Sequence, residues 1–264
     1  MIFKPRTKLK FIDGINHGSH FDAFCERAEY ALSAIKSIME EKKPRYVTFE
    51  KRKLFSRKVF ELEVYDVDGL GILVARKLSN VDPLTAYPVI EGSNEIEAEV
   101  NEILEWREWP EANVSASLET GAFINFFSTD YVFRKQQYLS SSKLTISLAL
   151  VAYKATTEGF EEKVVGKVDG KDVVLNLEEA ELLLPASISV KGAFIDDYIV
   201  TGKVLDYREA LTPCGIGYLV ELKCEPLKRV TLFVHKENLE GNMERGLSVK
   251  AFAWLQGRVK SVKD

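Results

Sequence analysis

The residue types with ligand chemistry gather near the start of the chain, where His17-x-x-His20 stands beside Asp13, Asp22 and Cys25. Imidazole, carboxylate and thiolate are the groups that bind zinc, which takes about four of them in a rigid tetrahedron. These two histidines precede or cap a helix instead of sharing one of its faces, so the spacing alone makes no site, and no bound metal is expected. His235 follows a strand and has no Ser, Cys or carboxylate partner evident in the sequence, so a nucleophilic triad cannot be assembled. Asp66-x-Asp68-Gly69 begins like a calcium loop but lacks the further oxygen ligands and the closing Glu. Neither a phosphate loop nor a dinucleotide glycine pattern occurs, and Gly69-x-Gly71 belongs to a hairpin. The sequence therefore implies no catalytic residue and no cofactor. An enzyme would need a site assembled elsewhere, at the junction of two halves.

A second group has the chemistry of phosphate and base contact. Lys42, Lys43, Arg45, Lys51, Arg52, Lys53, Arg57 and Lys58 are interleaved with Tyr46, Phe49 and Phe55. Cations track a phosphate backbone and aromatic rings stack on bases, although a solvated strand or loop face would use the same residues. The first 60 residues hold 14 basic against 7 acidic side chains, and the remainder 22 against 33, within a net charge of −4. A basic arm on an acidic body fits a nucleic-acid partner or self-pairing of the arm with the body.

The elements that position these groups follow from periodicity. After an irregular basic start, Ser19 caps a row at Phe21, Phe24, Cys25, Ala28, Leu32, Ile35 and Met39. This spacing predicts one amphipathic helix ending before Pro44. From Val59 the period becomes two, predicting a hairpin about Asp66 to Gly69. Asp82-Pro83 and Tyr87-Pro88 read as loop signals. Glu95 to Trp106 is a strand with an acidic outer face. Phe123 to Phe127 and Leu144 to Tyr153 are further strands, joined by a short helix within Thr129 to Ser142. Val164 to Leu175 is a second hairpin, and Asn176 with Glu179 is a capping box for a short helix ending before Pro185.

Much of this recurs. Val67-Asp68-Gly69 and Leu104-Glu105-Trp106-Arg107-Glu108 match Val168-Asp169-Gly170 and Leu205-Asp206-Tyr207-Arg208-Glu209 at an offset of 101. Val230 to Val234 matches Ile124 to Ser128 at 106, and Leu247 to Lys250 matches Leu144 to Ser147 at 103. The pattern predicts a mainly β chain of two tandem small β-barrels from an internal duplication, preceded by one N-terminal amphipathic α-helix. The expected boundaries are 1–44 for arm and helix, 45–157 for the first barrel and 158–264 for the second; a β-sandwich is the other architecture considered. Three strands, a short helix or loop and a further strand, over about 95–155 and 197–260, resemble an oligonucleotide/oligosaccharide-binding fold.

That resemblance implies a binding face on the middle strands. Ile124 and Phe126 share one face with their matches Val230 and Leu232; Asn125 and Phe127 share the other with Thr231 and Phe233. An exposed Phe127 or Phe233 would be a stacking platform, whereas a covering helix or sister domain would bury it. Lys223, Lys228, Arg229 and Lys236 give the second half a basic rim that the first lacks. The expected nucleic-acid-binding residues are Lys51, Arg52, Lys53, Arg57, Lys58, Phe127, Lys228, Arg229 and Phe233.

The composition, 46% apolar and 29% charged over 264 residues, is that of a chain with a substantial core. The longest apolar run, Leu148 to Tyr153, is far short of a membrane span, and Met-Ile-Phe-Lys-Pro does not open a secretory signal. The expected compartment is the cytoplasm. Cys25, Cys214 and Cys224 are too few for a disulfide framework; buried thiols are expected, with a Cys214–Cys224 bridge across a hairpin as the alternative. The leading functional expectation is a non-enzymatic binding protein for single-stranded nucleic acid. A protein-protein adaptor using the acidic strands and the N-terminal helix is the alternative.

Overall fold

A computed structural model describes residues 7–14, 18–25, 28–41, 43, 45–53, 56–67, 70–77, 83–107, 111–141, 143–159, 163–168, 171–177, 180–212 and 214–262. Between 45 and 84 only Glu63 and Tyr65 are described beyond the backbone. The chain is mainly β. Strand β1 (Lys8–Ile12) leads to α1 (Gly18–Cys25) and α2 (Ala28–Glu41). The single helix expected here is described as α1 and α2, and 26–27 between them lie outside the described residues. The apolar row still decides the packing: Phe21, Phe24 and Cys25 of α1 and Ile35 of α2 are buried.

Strands β2 (Arg45–Lys53), β3 (Ser56–Val67), β4 (Leu70–Lys77) and β5 (Pro83–Ile90) form an antiparallel sheet in that order. The predicted hairpin is β3–β4; its Asp68-Gly69 turn lies outside the described residues. The loop signals at Pro83 and Pro88 instead fall in β5. That strand is an edge, where a residue without an N–H breaks no ladder.

The remaining strands are β6 (Ile96–Trp106), β7 (Ala112–Leu118), β8 (Phe123–Ser128), β9 (Lys143–Thr156), β10 (Lys163–Val168), β11 (Lys171–Asn176), β12 (Leu182–Pro185), β13 (Asp197–Thr212), β14 (Gly215–Cys224), β15 (Lys228–His235), β16 (Leu239–Glu240) and β17 (Ser248–Val262). The expected short helix α3 (Tyr131–Ser140) joins β8 to β9. The helix expected before Pro185 is absent among the described residues. Strand β12 occupies the place, because Leu182 to Pro185 pairs with Thr201 to Tyr198 of β13 and buries Leu183. Tertiary pairing overrides the local capping signal. Among the described residues, strands β10 and β11 pair only with each other.

One large sheet closes on itself. β6, β7 and β8 form a meander; β8 runs parallel to β17, β17 antiparallel to β9, and β9 antiparallel to β6. β13, β14 and β15 form another meander; β15 runs parallel to β9, and β17 pairs back to β13. Two five-strand circuits therefore share β9 and β17. Their interiors hold one continuous core, with Val114, Ile124, Phe126, Ile146 and Leu150 in one and Val220, Val230, Leu232, Val249 and Leu255 in the other.

The pairing register recurs residue by residue. Val100↔Ala116, a bulge and Glu102↔Ser115 in one meander correspond to Val204↔Leu222, a bulge and Asp206↔Glu221 in the other. Ser115↔Asn125 and Asn113↔Phe127 correspond to Glu221↔Thr231 and Leu219↔Phe233. Phe127↔Gln256 corresponds to Phe233↔Val151. Leu150 faces Leu255 where β9 and β17 cross, and the pairs Val151↔Trp254 and Ala149↔Gln256 exchange about that point. The matching offsets are 104 for β6, 106 for β7 and β8, and 105 for β9. These register offsets differ from the sequence offsets of 101 and 103 and coincide with the one at 106.

Candidate functional site

Strand alternation puts Ile124 and Phe126, like Val230 and Leu232, inside the circuits. Phe127 and Phe233 then point outward, as the sequence predicts. Both rings are nevertheless 0% exposed, so the expected stacking platforms are corrected: each ring has a roof. Tyr87 of β5 stands edge-on to Phe127 at 4.8 Å between ring centroids, with Trp254 at 5.1 Å and Trp106 at 6.0 Å. Phe24 of α1 covers Phe233 at 5.2 Å. Burying a phenyl ring is worth about 2–3 kcal/mol relative to leaving it in water, and the first 90 residues supply the apolar covers. The sequence-predicted pair is thus brought together within one aromatic cluster, as core.

The two roofs are fastened differently. Over Phe127, the Gln256 side chain behaves as a short piece of strand: its Nε2 donates to Pro88 O at 2.7 Å, and its Oε1 accepts from Ile90 N at 3.0 Å. Over Phe233, α1 is fastened by a disulfide from Cys25 to Cys214, 189 residues away. The His20 ring stacks on Trp254 at 3.8 Å and 8°. The Asn238 amide donates to Asp22 O at 3.0 Å. The expected buried thiols are corrected for this pair. Cys214 and Cys224 flank β14 at opposite ends and do not meet. Cys224 is the buried free thiol, pushed up to about 12 by burial and then by Glu225 and Glu181.

Carboxylates stand behind α1. Trp254 Nε1 donates to Asp196 Oδ2 at 2.9 Å, and Tyr153 OH donates to Asp197 Oδ1 at 3.1 Å. Phe194 N donates to the other Asp197 oxygen at 2.8 Å. Burial, with the neighbouring Asp196 charge, pushes the Asp197 carboxyl up to about 6. Burial and the charges of Asp197, Asp196 and Asp22 hold Tyr153 far above its ordinary range, so its phenol stays a donor. These groups face one another beneath α1, and the arrangement positions the helix. Of the ligand-like residues, His20 lies on Trp254, Cys25 is in the disulfide and His17 is outside the described residues. No cluster of three or more His, Cys, Asp or Glu suited to a metal occurs among the described residues.

The basic residues divide. Lys51, Arg52, Lys53, Arg57 and Lys58 lie on the β2–β3 hairpin, where the register sets Lys51 opposite Lys58 and Arg52 opposite Arg57. Their side chains lie outside what is described. Tyr65, buried in the aromatic cluster, is nine residues along β3 from Ser56, about 30 Å of extended strand, so the hairpin end stands well away from Phe127 and Phe233. On the second half's rim, Arg229 pairs with Glu221 at 3.7 Å and Lys223 with Glu181 at 2.6 Å. Lys228 is exposed, with φ 62 in the left-handed region, a conformation costing a side chain about 1 kcal/mol.

The sequence also missed a polar face on β7–β8. At the outward positions of β7–β8, Ser115 Oγ donates to Asn125 Oδ1 and Asn101 Nδ2 donates to Ser117 Oγ at 2.7 Å, beside Phe123, which is 75% exposed. On β14–β15 the corresponding face is occupied, with Ser93 N donating to Thr231 Oγ1 at 2.9 Å and Asn94 Nδ2 to Arg229 O at 2.8 Å. Strand alternation could have flagged Phe123 as outward; its exposure depends on what packs nearby. No helix among the described residues is long and apolar enough to cross a membrane. Neither a family model, nor a curated protein, nor a solved structure matches the chain.

Proposed function

We propose that the protein is a non-enzymatic, cytoplasmic binding protein for single-stranded nucleic acid, gripping the phosphate backbone with the end of the β2–β3 hairpin. The observation that carries this reading is the register Lys51↔Lys58 and Arg52↔Arg57. Like charges directly opposed on neighbouring strands cost a few tenths to about 1 kcal/mol per pair. Between 51 and 58 there is no acidic residue to offset five cations. A polyanion removes that repulsion and releases its own counterions.

Each half reads as an oligonucleotide-binding-like barrel, and the two as the product of a duplication. The recurrence of register and bulge supports this, as do the parallel pairings that close each circuit. Barrels of this type bind single strands on their outer faces. With Phe127 and Phe233 roofed, contact is mainly to phosphate.

The test is polarisation of a labelled single-stranded oligonucleotide at rising salt. Five phosphate contacts give a log–log slope of about −3.5, or roughly a 100-fold loss between 50 and 200 mM salt. Arg52→Glu places opposite charges across the hairpin, so it should stabilise the fold slightly while weakening binding severalfold. Absence of binding at 50 mM, or binding indifferent to Arg52→Glu, removes the proposal.

An adaptor role is the second reading. Leu211 and Ile216 oppose each other near the β13–β14 turn at 61% and 40% exposure, an apolar pair suited to a protein partner. Stoichiometric co-purification of a partner that is lost in Leu211→Ser would favour it.

A further inference from the structure

We propose that Cys25–Cys214 is a reducible latch, opened by a dithiol reductant that attacks at Cys214, and that opening it frees α1 from the sheet face holding Phe233 and Trp254. The proposal is independent of the nucleic-acid reading. Three observations carry it.

The bond is placed to control one element. Cys25 is the last residue of α1, and Cys214 sits in the turn between β13 and β14. An eight-residue helix is marginal in water on its own, so α1 persists because it is docked. Its other fastenings include side-chain packing and the Asn238 amide. A bond spanning 189 residues adds roughly tenfold or more to the persistence of that docking by restricting the open chain.

The two sulfurs differ in access. Cys25 is 1% exposed while Cys214 is half-buried, and exchange proceeds at the sulfur a thiolate can reach. One thiolate of the dithiol bonds to Cys214 Sγ; the S–S bond breaks, and Cys25 leaves as a thiolate that takes up a proton. The second thiol of the reductant, as its thiolate, attacks its own sulfur in the mixed disulfide, closing a cyclic disulfide and expelling Cys214 as a thiolate. Two electrons pass from the dithiol to the protein, which ends with two reduced cysteines.

A buried donor faces the residue that follows Cys214. His235 is buried, and its Nδ1 accepts from Glu237 N at 3.4 Å, which leaves the proton on Nε2. That Nε2 has no hydrogen-bond partner among the described residues. It lies 3.0 Å from where a Cβ on Gly215 would sit, facing the residue that follows Cys214. A Cys214 thiolate gives this buried N–H an acceptor, so His235 is a positioning residue that favours the opened state.

The test uses the full chain with dithiothreitol under native conditions, reading amide hydrogen exchange and cysteine alkylation. Reduction is expected to raise exchange of residues 18–25 at least tenfold and leave 124–128 unchanged, and Cys25→Ser should reproduce this without reductant. In Cys25→Ser, Cys214 should alkylate with a pH midpoint below the ordinary thiol value of about 8.5, and His235→Gln should raise that midpoint. Buried Cys224 should stay unmodified throughout. Unchanged exchange in 18–25, an equal rise in 124–128, a mixed disulfide trapped on Cys25, or a midpoint indifferent to His235→Gln would each overturn the proposal.

Discussion

Phe127 and Phe233 occupy matching positions in the two circuits and are equally buried, yet their covers differ in kind. One is an edge strand joined to β17 through both ends of the Gln256 amide. The other is a two-turn helix held by a disulfide and a stacked imidazole. A strand brings its own sheet and can be clamped by hydrogen bonds along its length. A short helix has its backbone bonds already used internally and must be held by side chains. The same need, excluding water from one phenyl ring, is met by whichever fastening the covering element permits.

The comparison breaks first at the rings themselves. Phe127→Ala and Phe233→Ala should each cost about 3–5 kcal/mol in denaturant midpoint analysis, and a loss below 1 kcal/mol for either would mean its roof collapses onto the gap and covers nothing essential. Next comes the strand clamp: Gln256→Met keeps the volume but strands Ile90 N–H and Pro88 C=O, for an expected cost of about 2 kcal/mol. That loss should loosen β5 and leave α1 as it was, as exchange of 83–90 against 18–25 would report.

The smallest effect is the pH dependence that Asp197 carries on the α1 side. The Asp197 carboxyl is raised from an ordinary 3.8 to about 6, so the folded chain holds its proton more tightly than the unfolded one. Its stabilising contribution is full below about pH 4 and lost as pH rises through 6. Asp197→Asn should therefore gain on the parent by about 1–2 kcal/mol between pH 4.5 and 7.5. Parallel stability curves for the two proteins would contradict this.

What could be read from the letters was local. Alternation located β6, β8 and β9, and the match of Ile124 to Val230 gave the register that the pairings have. The match of Leu104 to Leu205 slipped by three, because charge and aromatic letters on a strand carry no face, and an odd slip reverses every side chain. The bulges at Asn101 and Leu205, which fix the alignment, have no letter signature. The helix signal before Pro185 gave way at Leu182 to Pro185 to pairing with β13. The site was less legible than the fold. Phe127 and Phe233 were placed on the outward face correctly, but their roofs come from residues 21–24 and 87, and Cys25 meets Cys214 only through the folded sheet.

Because β9 and β17 are walls of both circuits, neither half has a seam along which it can peel away. Heat should melt the two together in a single step, and a fragment ending near residue 157 would be left with an open staircase of strands in place of a closed one, ready to borrow its missing wall from a neighbouring molecule.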